Sequence, residues 1–78
     1  MTIKELEYEI ALHKFFVEAK LWRANRPSMR SEWYHALNFG VMQGWLTEEY
    51  HVDWDGAVNS FVFVLTDAGR ERFFNRTP

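Results

Sequence analysis

The run GWLTEEYHVDWDGAVNSFVFVLTDAGRERF, Gly44 to Phe73, reads as strand, turn, strand and helix, and it decides the fold. Phe61-Val62-Phe63-Val64-Leu65 packs β-branched and aromatic residues into one run, the strongest strand signal in the chain, within a strand spanning about 59–65. Leu46 to Asp53 alternates more loosely, and Asp55-Gly56 supplies turn chemistry between the two. Because the segment from Asp53 to Ser60 exceeds two residues, the hairpin is expected to close through a loop or bulge and not a tight primed turn. Thr66 is placed to cap a short final helix through about Asn75, with Asp67 complementing the helix dipole and Phe73 and Phe74 free to pack. Arg76 to Pro78 should fray.

Working back from Gly44, which stands where a helix ends in a left-handed residue, the sequence predicts a helix opened by Pro27 and Ser28 and running to about Gln43. Met29, Trp33, Leu37, Gly40 and Val41 share one face, with Arg30, Tyr34, His35, Asn38 and Met42 elsewhere. Gly40 costs about 1 kcal/mol of helix propensity against alanine, so another backbone is expected to approach closely there. Ala24 to Pro27 reads as a connection. Thr2 to about Arg23 lacks Gly and Pro and predicts one long helix, with Thr2 and Glu5 spaced as a capping box. At 100° per residue, Ile3, Leu6, Ile10, His13, Val17 and Leu21 form one apolar stripe, and Tyr8, Ala11, Leu12, Phe15, Ala19 and Trp22 form a second. So few remaining residues cannot cover both unless the helix is nearly enclosed. The second stripe, through Tyr8, Phe15 and Trp22, is the candidate partner surface and homodimer contact.

Helix, helix, hairpin and closing helix make a small α+β domain spanning residues 1–78. Gly44-Trp45-Leu46-Thr47-Glu48 ahead of the hairpin, followed by Leu65-Thr66-Asp67-Ala68-Gly69-Arg70-Glu71-Arg72-Phe73, resembles winged-helix regulators of the multiple-antibiotic-resistance and phenolic-acid repressor types. The resemblance covers roughly the second half of the chain. It implies a winged-helix-like fold with two N-terminal helices, a β-hairpin wing and a short C-terminal helix. It also implies DNA binding through a recognition helix and wing that bring Lys and Arg to phosphates. Here the chain departs from that pattern. No Lys or Arg occurs from Ser31 through Gly69, whereas Glu32, Glu48, Glu49, Asp53, Asp55 and Asp67 all do. An acidic wing repels the backbone it would straddle, and phosphate contacts supply most nonspecific affinity.

Composition narrows the function classes. Seventy-eight residues sit near the lower size for a core without metal or disulfide, and seven Phe, four Trp and three Tyr serve both core and interface. The absence of cysteine excludes disulfides, thiolate zinc sites and a cysteine nucleophile, and fits a reducing cytoplasm. No basic segment followed by a long apolar run marks a signal peptide or membrane span, so no membrane partner is expected. A net charge of −2 does not draw the molecule as a whole to polyanions.

Two candidate surfaces follow. Glu48, Glu49, Asp53 and Asp55 around Trp54 form an acidic wing with an aromatic anchor, suited to a basic protein groove or to occupying a nucleic-acid site. Lys20, Arg23, Arg26 and Arg30, with Tyr34 and Asn38 as a base-reading row, form the alternative nucleic-acid surface. Asp53-Trp54-Asp55-Gly56 is similar to a fragment of a calcium loop but lacks the later ligands, and His13, His35 and His51 show no paired ligand spacing. Neither a metal nor another cofactor is expected. Ser28, Ser31 and Ser60 have no nucleophile-elbow context and no glycine-rich phosphate loop exists, so catalysis is not expected. The sequence therefore points to a non-enzymatic protein-binding module, an adaptor or inhibitor. In size and charge it is similar to phage and mobile-element inhibitors, anti-CRISPR proteins among them. The alternative is a dimeric DNA-binding transcriptional regulator using the Arg23 to Asn38 region.

Overall fold

The computed structural model describes residues 2–74. Its elements are α1 (Ile3–His13), continued by a π-helical turn (Lys14–Glu18), then β1 (Arg23–Asn25), α2 (Glu32–Met42), β2 (Leu46–Val52), β3 (Val58–Leu65) and α3 (Asp67–Phe73). The strands form one antiparallel sheet in the order β1-β3-β2. The architecture is α+β, a three-stranded sheet with three helices, in a small winged-helix-like arrangement. The expected ends at Asn75 and Arg76 to Pro78 lie outside the described residues, and α3 is defined to Phe73.

Local chemistry sets most element boundaries. The Thr2 hydroxyl accepts from the Glu5 N–H while the Glu5 carboxylate accepts from the Thr2 N–H, closing the capping box at the start of α1. Ser31, not Ser28, caps α2 by accepting from the Tyr34 N–H at 3.0 Å. Ser28 instead organises the turn before it, its carbonyl accepting from the Ser31 N–H and hydroxyl. Consequently Met29 and Arg30 lie outside the helix, and Met29 is exposed instead of sharing a face with Trp33 and Leu37. Gly44 and Gly56 take positive φ of 82° and 88° at the end of α2 and in the hairpin loop. That loop spans 53–57 and is held by Asp53 N–H to Ala57 O at 2.8 Å and Gly56 N–H to Asp53 O at 2.9 Å, with a register shift at His51/Val52.

The first helix is shorter than its propensity suggests. Lys20 adopts φ 55°, and the Leu21 N–H donates to the Phe16 carbonyl, which ends the helix in left-handed geometry. The chain then becomes β1, where the sequence predicts a helix end and a connection. Arg23, Ala24 and Asn25 pair with Val64, Phe63 and Val62, extended by Leu65 N–H to Trp22 O and Arg26 N–H to Phe61 O. Hydrogen bonding to the open edge of β3 outweighs the small helical preference of these residues, and it carries the Ala24 methyl into the core beside Phe63. Lys20→Gly is expected to stabilise the domain by about 1 kcal/mol, because a Cβ in left-handed geometry costs that order. Urea denaturation of the variant measures it, and an unchanged midpoint would argue against a fixed left-handed residue there.

The core draws on every element: Leu12 and Phe16 from the first helix, Ala24, Leu37 and Phe39, Leu46, Phe63 and Leu65, and Phe73. Each large side chain contributes roughly 1.5–3 kcal/mol by burial. The π turn matters here because it brings consecutive Phe15 and Phe16 inward together, their rings 5.1 Å apart, with Phe15 also 4.8 Å from Trp33. The core thus lies against Tyr8, Leu12, Phe15 and Phe16. The stripe read as a partner surface is largely interior, and Ile3, Leu6 and Ile10 of the other stripe face outward.

The two motifs of the second half dock on each other. Thr66 donates its hydroxyl to Gly44 O at 2.6 Å and its N–H to Trp45 O at 3.0 Å, and accepts from the Gly69 N–H. Gly69 lies so close that an added Cβ would sit on the Trp45 carbonyl oxygen and 2.8 Å from its carbon. The close backbone approach expected at Gly40 is therefore found at Gly69. Gly40 instead makes room for side chains, an added Cβ standing 2.6 Å from Leu46 Cδ1 and 3.1 Å from Leu12 Cδ1.

Candidate protein-binding surface

The hairpin of β2 and β3 outruns the core. Side chains alternate along each strand, and antiparallel partners share a face. Leu46 with Leu65, Glu48 with Phe63 and Tyr50 with Phe61 therefore occupy the core side, and Thr47 with Val64 and Glu49 with Val62 the outer side. Leu46, Phe63 and Leu65 are buried, whereas Tyr50 and Phe61, whose rings are 6.0 Å apart, lie past the core and are exposed. Beyond them Asp53, Trp54 and Asp55 form the tip, and Trp54 is 99 % exposed. Asp55 is exposed and accepts the Ala57 N–H at 3.0 Å, which fixes the turn. Among the described residues, neither Glu49 nor Asp55 has an ion pair. Acidic groups thus appear on both faces of the hairpin and at its end, around an indole in water.

The expected cationic surface is dispersed. Arg26 is half-buried, its guanidinium 4.8 Å from the Phe61 ring and 5.5 Å from the Tyr34 ring, with Glu48 at 4.0 Å. Stacked between rings and facing a carboxylate, it closes the end of the core. Tyr34 packs edge-on to Phe63 at 6.3 Å, so the row Arg30, Tyr34, Asn38 is interrupted in its middle. Lys20, Arg23 and Arg30 are exposed but stand on a helix end, a strand and a turn. The exposed positions of α2 are Glu32, His35, Asn38 and Met42, with no cation among them. One helix, α2, lies between β1 and β2, where a helix-turn-helix reader would need two in succession.

Tyr8 and Phe15 pack against the core, Tyr8 5.9 Å from the Phe39 ring. Trp22 is exposed just before β1, with the Arg70 guanidinium 5.2 Å from its ring and Phe74 nearby in a shallow hollow of about 430 Å³. A groove of about 390 Å³ between the starts of α1 and α2 went unread in the sequence, because its sides come from residues far apart in the chain. Lys4 crosses it to Glu32 at 2.9 Å, above Tyr8 and Trp33. That hydrogen bond raises the Lys4 ammonium above its ordinary 10.5 and holds the Glu32 carboxyl below its ordinary 4.5, while the Thr2 backbone N–H lowers Glu5. Each is solvent-facing, so these are local links and not a buried charge centre.

Among the described residues no three of His, Asp and Glu converge as metal ligands, and no helix is long and apolar enough to cross a membrane. No protein-family model matches the chain, and neither a curated protein nor a solved structure was found similar to it.

Proposed function

We propose that this chain is a non-enzymatic, cytoplasmic protein-binding module, an adaptor or inhibitor, that presents Trp54 on its acidic hairpin to a basic groove of another protein. The observation that carries the reading is the fully exposed indole at the tip, flanked by Asp53 and Asp55. An aromatic side chain left in water at the end of a hairpin gains most when it enters a pocket, and such anchors dominate interface energetics. Glu49 on the outer face of β2 continues the negative surface, while Glu48 on the other face is turned to Arg26; the acidic tip and Glu49 favour a cationic partner and speed encounter with it. An inhibitor of the kind encoded by phages and mobile elements fits this small, acidic build. Kinship with winged-helix regulators remains a matter of the Gly44 to Glu48 and Leu65 to Phe73 residues.

The test uses the purified chain to isolate its partner and then titrates that partner against wild type, Trp54→Ala and the double variant Asp53→Lys/Asp55→Lys, each with an unchanged thermal melt. Trp54→Ala is expected to raise Kd by at least about 30-fold, the equivalent of roughly 2 kcal/mol at an interface anchor. Charge reversal is expected to slow association and reverse its salt dependence. Equal binding by all three proteins would remove the hairpin as the site. Affinity for mixed-sequence duplex DNA that falls steeply with salt and is lost in Arg30→Ala would replace this reading with the DNA-binding regulator.

A further inference from the structure

The outward stripe of α1 has the spacing of a coiled-coil seam. In a heptad frame beginning at Ile3, Ile3 and Ile10 take position a, Leu6 and His13 position d, Glu7 and Lys14 position e, and Glu9 position g. Ile3 is 79 %, Leu6 49 % and Ile10 58 % exposed, on the side of the helix opposite the core residues Tyr8 and Leu12. The seam ends where the π turn begins, because Val17 is drawn onto the core. Between these residues lies a hollow of about 250 Å³ lined by Leu6, Glu9, Ile10 and His13. Those four are the d, g, a and d positions that form the hole for an a-position knob of a facing parallel helix.

We propose that α1 pairs with α1 of a second copy, parallel and in register about a two-fold axis, as a homodimer. Isoleucine at both a positions with leucine at the first d matches the combination that favours two parallel strands, the second d being His13, which also packs on Phe73. Ile10 of each copy enters the hollow of the other, with Ile3 and Leu6 forming the flanking layers. Charge agrees with this alignment, since position g of one helix faces position e of the next heptad on the other, setting Glu9 against Lys14. The Glu9 side chain is 14 % exposed and both bonds from Arg72 land on its Oε2, so Lys14 of the second copy would join an existing ion pair at the edge of the seam. Among the described residues Lys14 has no ion pair of its own. An antiparallel alignment that matches Leu6 to Ile10 would set the two Glu7 side chains against each other near the axis, an unfavourable contact between like charges. The helix is already folded and capped within the domain, so association has no helix-nucleation cost. The seam covers only about two turns, a smaller contact than the roughly 800 Å² per partner of a standard stable interface, so the dimer is expected to be weak and concentration-dependent.

Sedimentation of the whole chain from about 5 to 500 µM is expected to show the mass rising from monomer to dimer. Leu6→Glu, at an exposed position, is expected to weaken the dimer by at least about 30-fold with an unchanged thermal melt. Orientation is read from Ile3→Cys: the chain has no other cysteine, and only a parallel in-register pair brings position 3 of the two copies together under mild oxidation. Met42→Cys, exposed on α2, serves as the uncrosslinked control. A monomer at the highest concentration overturns the proposal, as does a dimer indifferent to Leu6→Glu or one in which Ile3→Cys crosslinks no faster than Met42→Cys. The hairpin variants leave the dimer intact, so the outcome is separate from that of the protein-binding proposal.

Discussion

Gly69→Ala is expected to destabilise the domain by about 3 kcal/mol or more, although alanine is the better helix former by about 1 kcal/mol and also narrows the unfolded ensemble. Those favourable effects lose because the new methyl would coincide with the Trp45 carbonyl oxygen, a backbone atom that cannot rotate away. Relief requires α3 to lift from the α2–β2 junction, which breaks the Thr66 contacts to Gly44 and Trp45. Gly40→Ala provides the comparison. Its methyl meets the ends of the Leu46 and Leu12 side chains, which can shift, so the cost there is about 1–2 kcal/mol after the propensity gain. Urea denaturation of both variants measures the order of the two effects. A neutral or stabilised Gly69→Ala would mean that α3 is not docked on Trp45.

Phe73→Ala should cost about 3–5 kcal/mol, much of the total available to so small a domain. Phe73 is 2 % exposed, its ring 5.5 Å from Trp45, 6.0 Å from His13 and 6.5 Å from Phe16, so it joins α3 to the first helix and to the start of β2. Its neighbour Phe74 is 37 % exposed, and Phe74→Ala should cost under about 1 kcal/mol. Near-ultraviolet circular dichroism and the thermal midpoint report both, since Trp45 loses the Phe73 ring only in the first and keeps Phe39 in either. The double variant Gly69→Ala/Phe73→Ala should lose less than the sum of the singles, because each undocks the same helix. Full additivity would show that the two residues act on separate parts of the fold.

Residues acting over short sequence distances were readable without coordinates, because the chemistry that sets them lies within a few positions. Thr2 with Glu5, the left-handed Gly44, the cap at Thr66 and the strand run ending at Leu65 belong to this class. The exposed wing acids and the absence of cations from Ser31 to Gly69 are likewise properties of the sequence, and placing Trp54 between turn residues already put it near the hairpin end. Its near-complete exposure required the structure, since a loop of five residues is long enough for an indole to return to the strands.

The remaining features arise between segments far apart in the chain. The edge of β3 captured Arg23 to Asn25 as a strand, against a local sequence compatible with helix. The π turn rotated Phe16 inward and thereby chose which apolar stripe of α1 meets the core, a choice that two stripes of similar hydrophobicity leave undecided. Arg26 lost its freedom to bind phosphate when Phe61, Tyr34 and Glu48 closed around it. The sequence by itself determined the caps at Thr2 and Thr66, the glycine turns, the hairpin and the sign of its charge, because these depend on neighbouring residues. Only the tertiary structure decided which faces are buried and which remain for partners, because burial depends on the surface that another element brings.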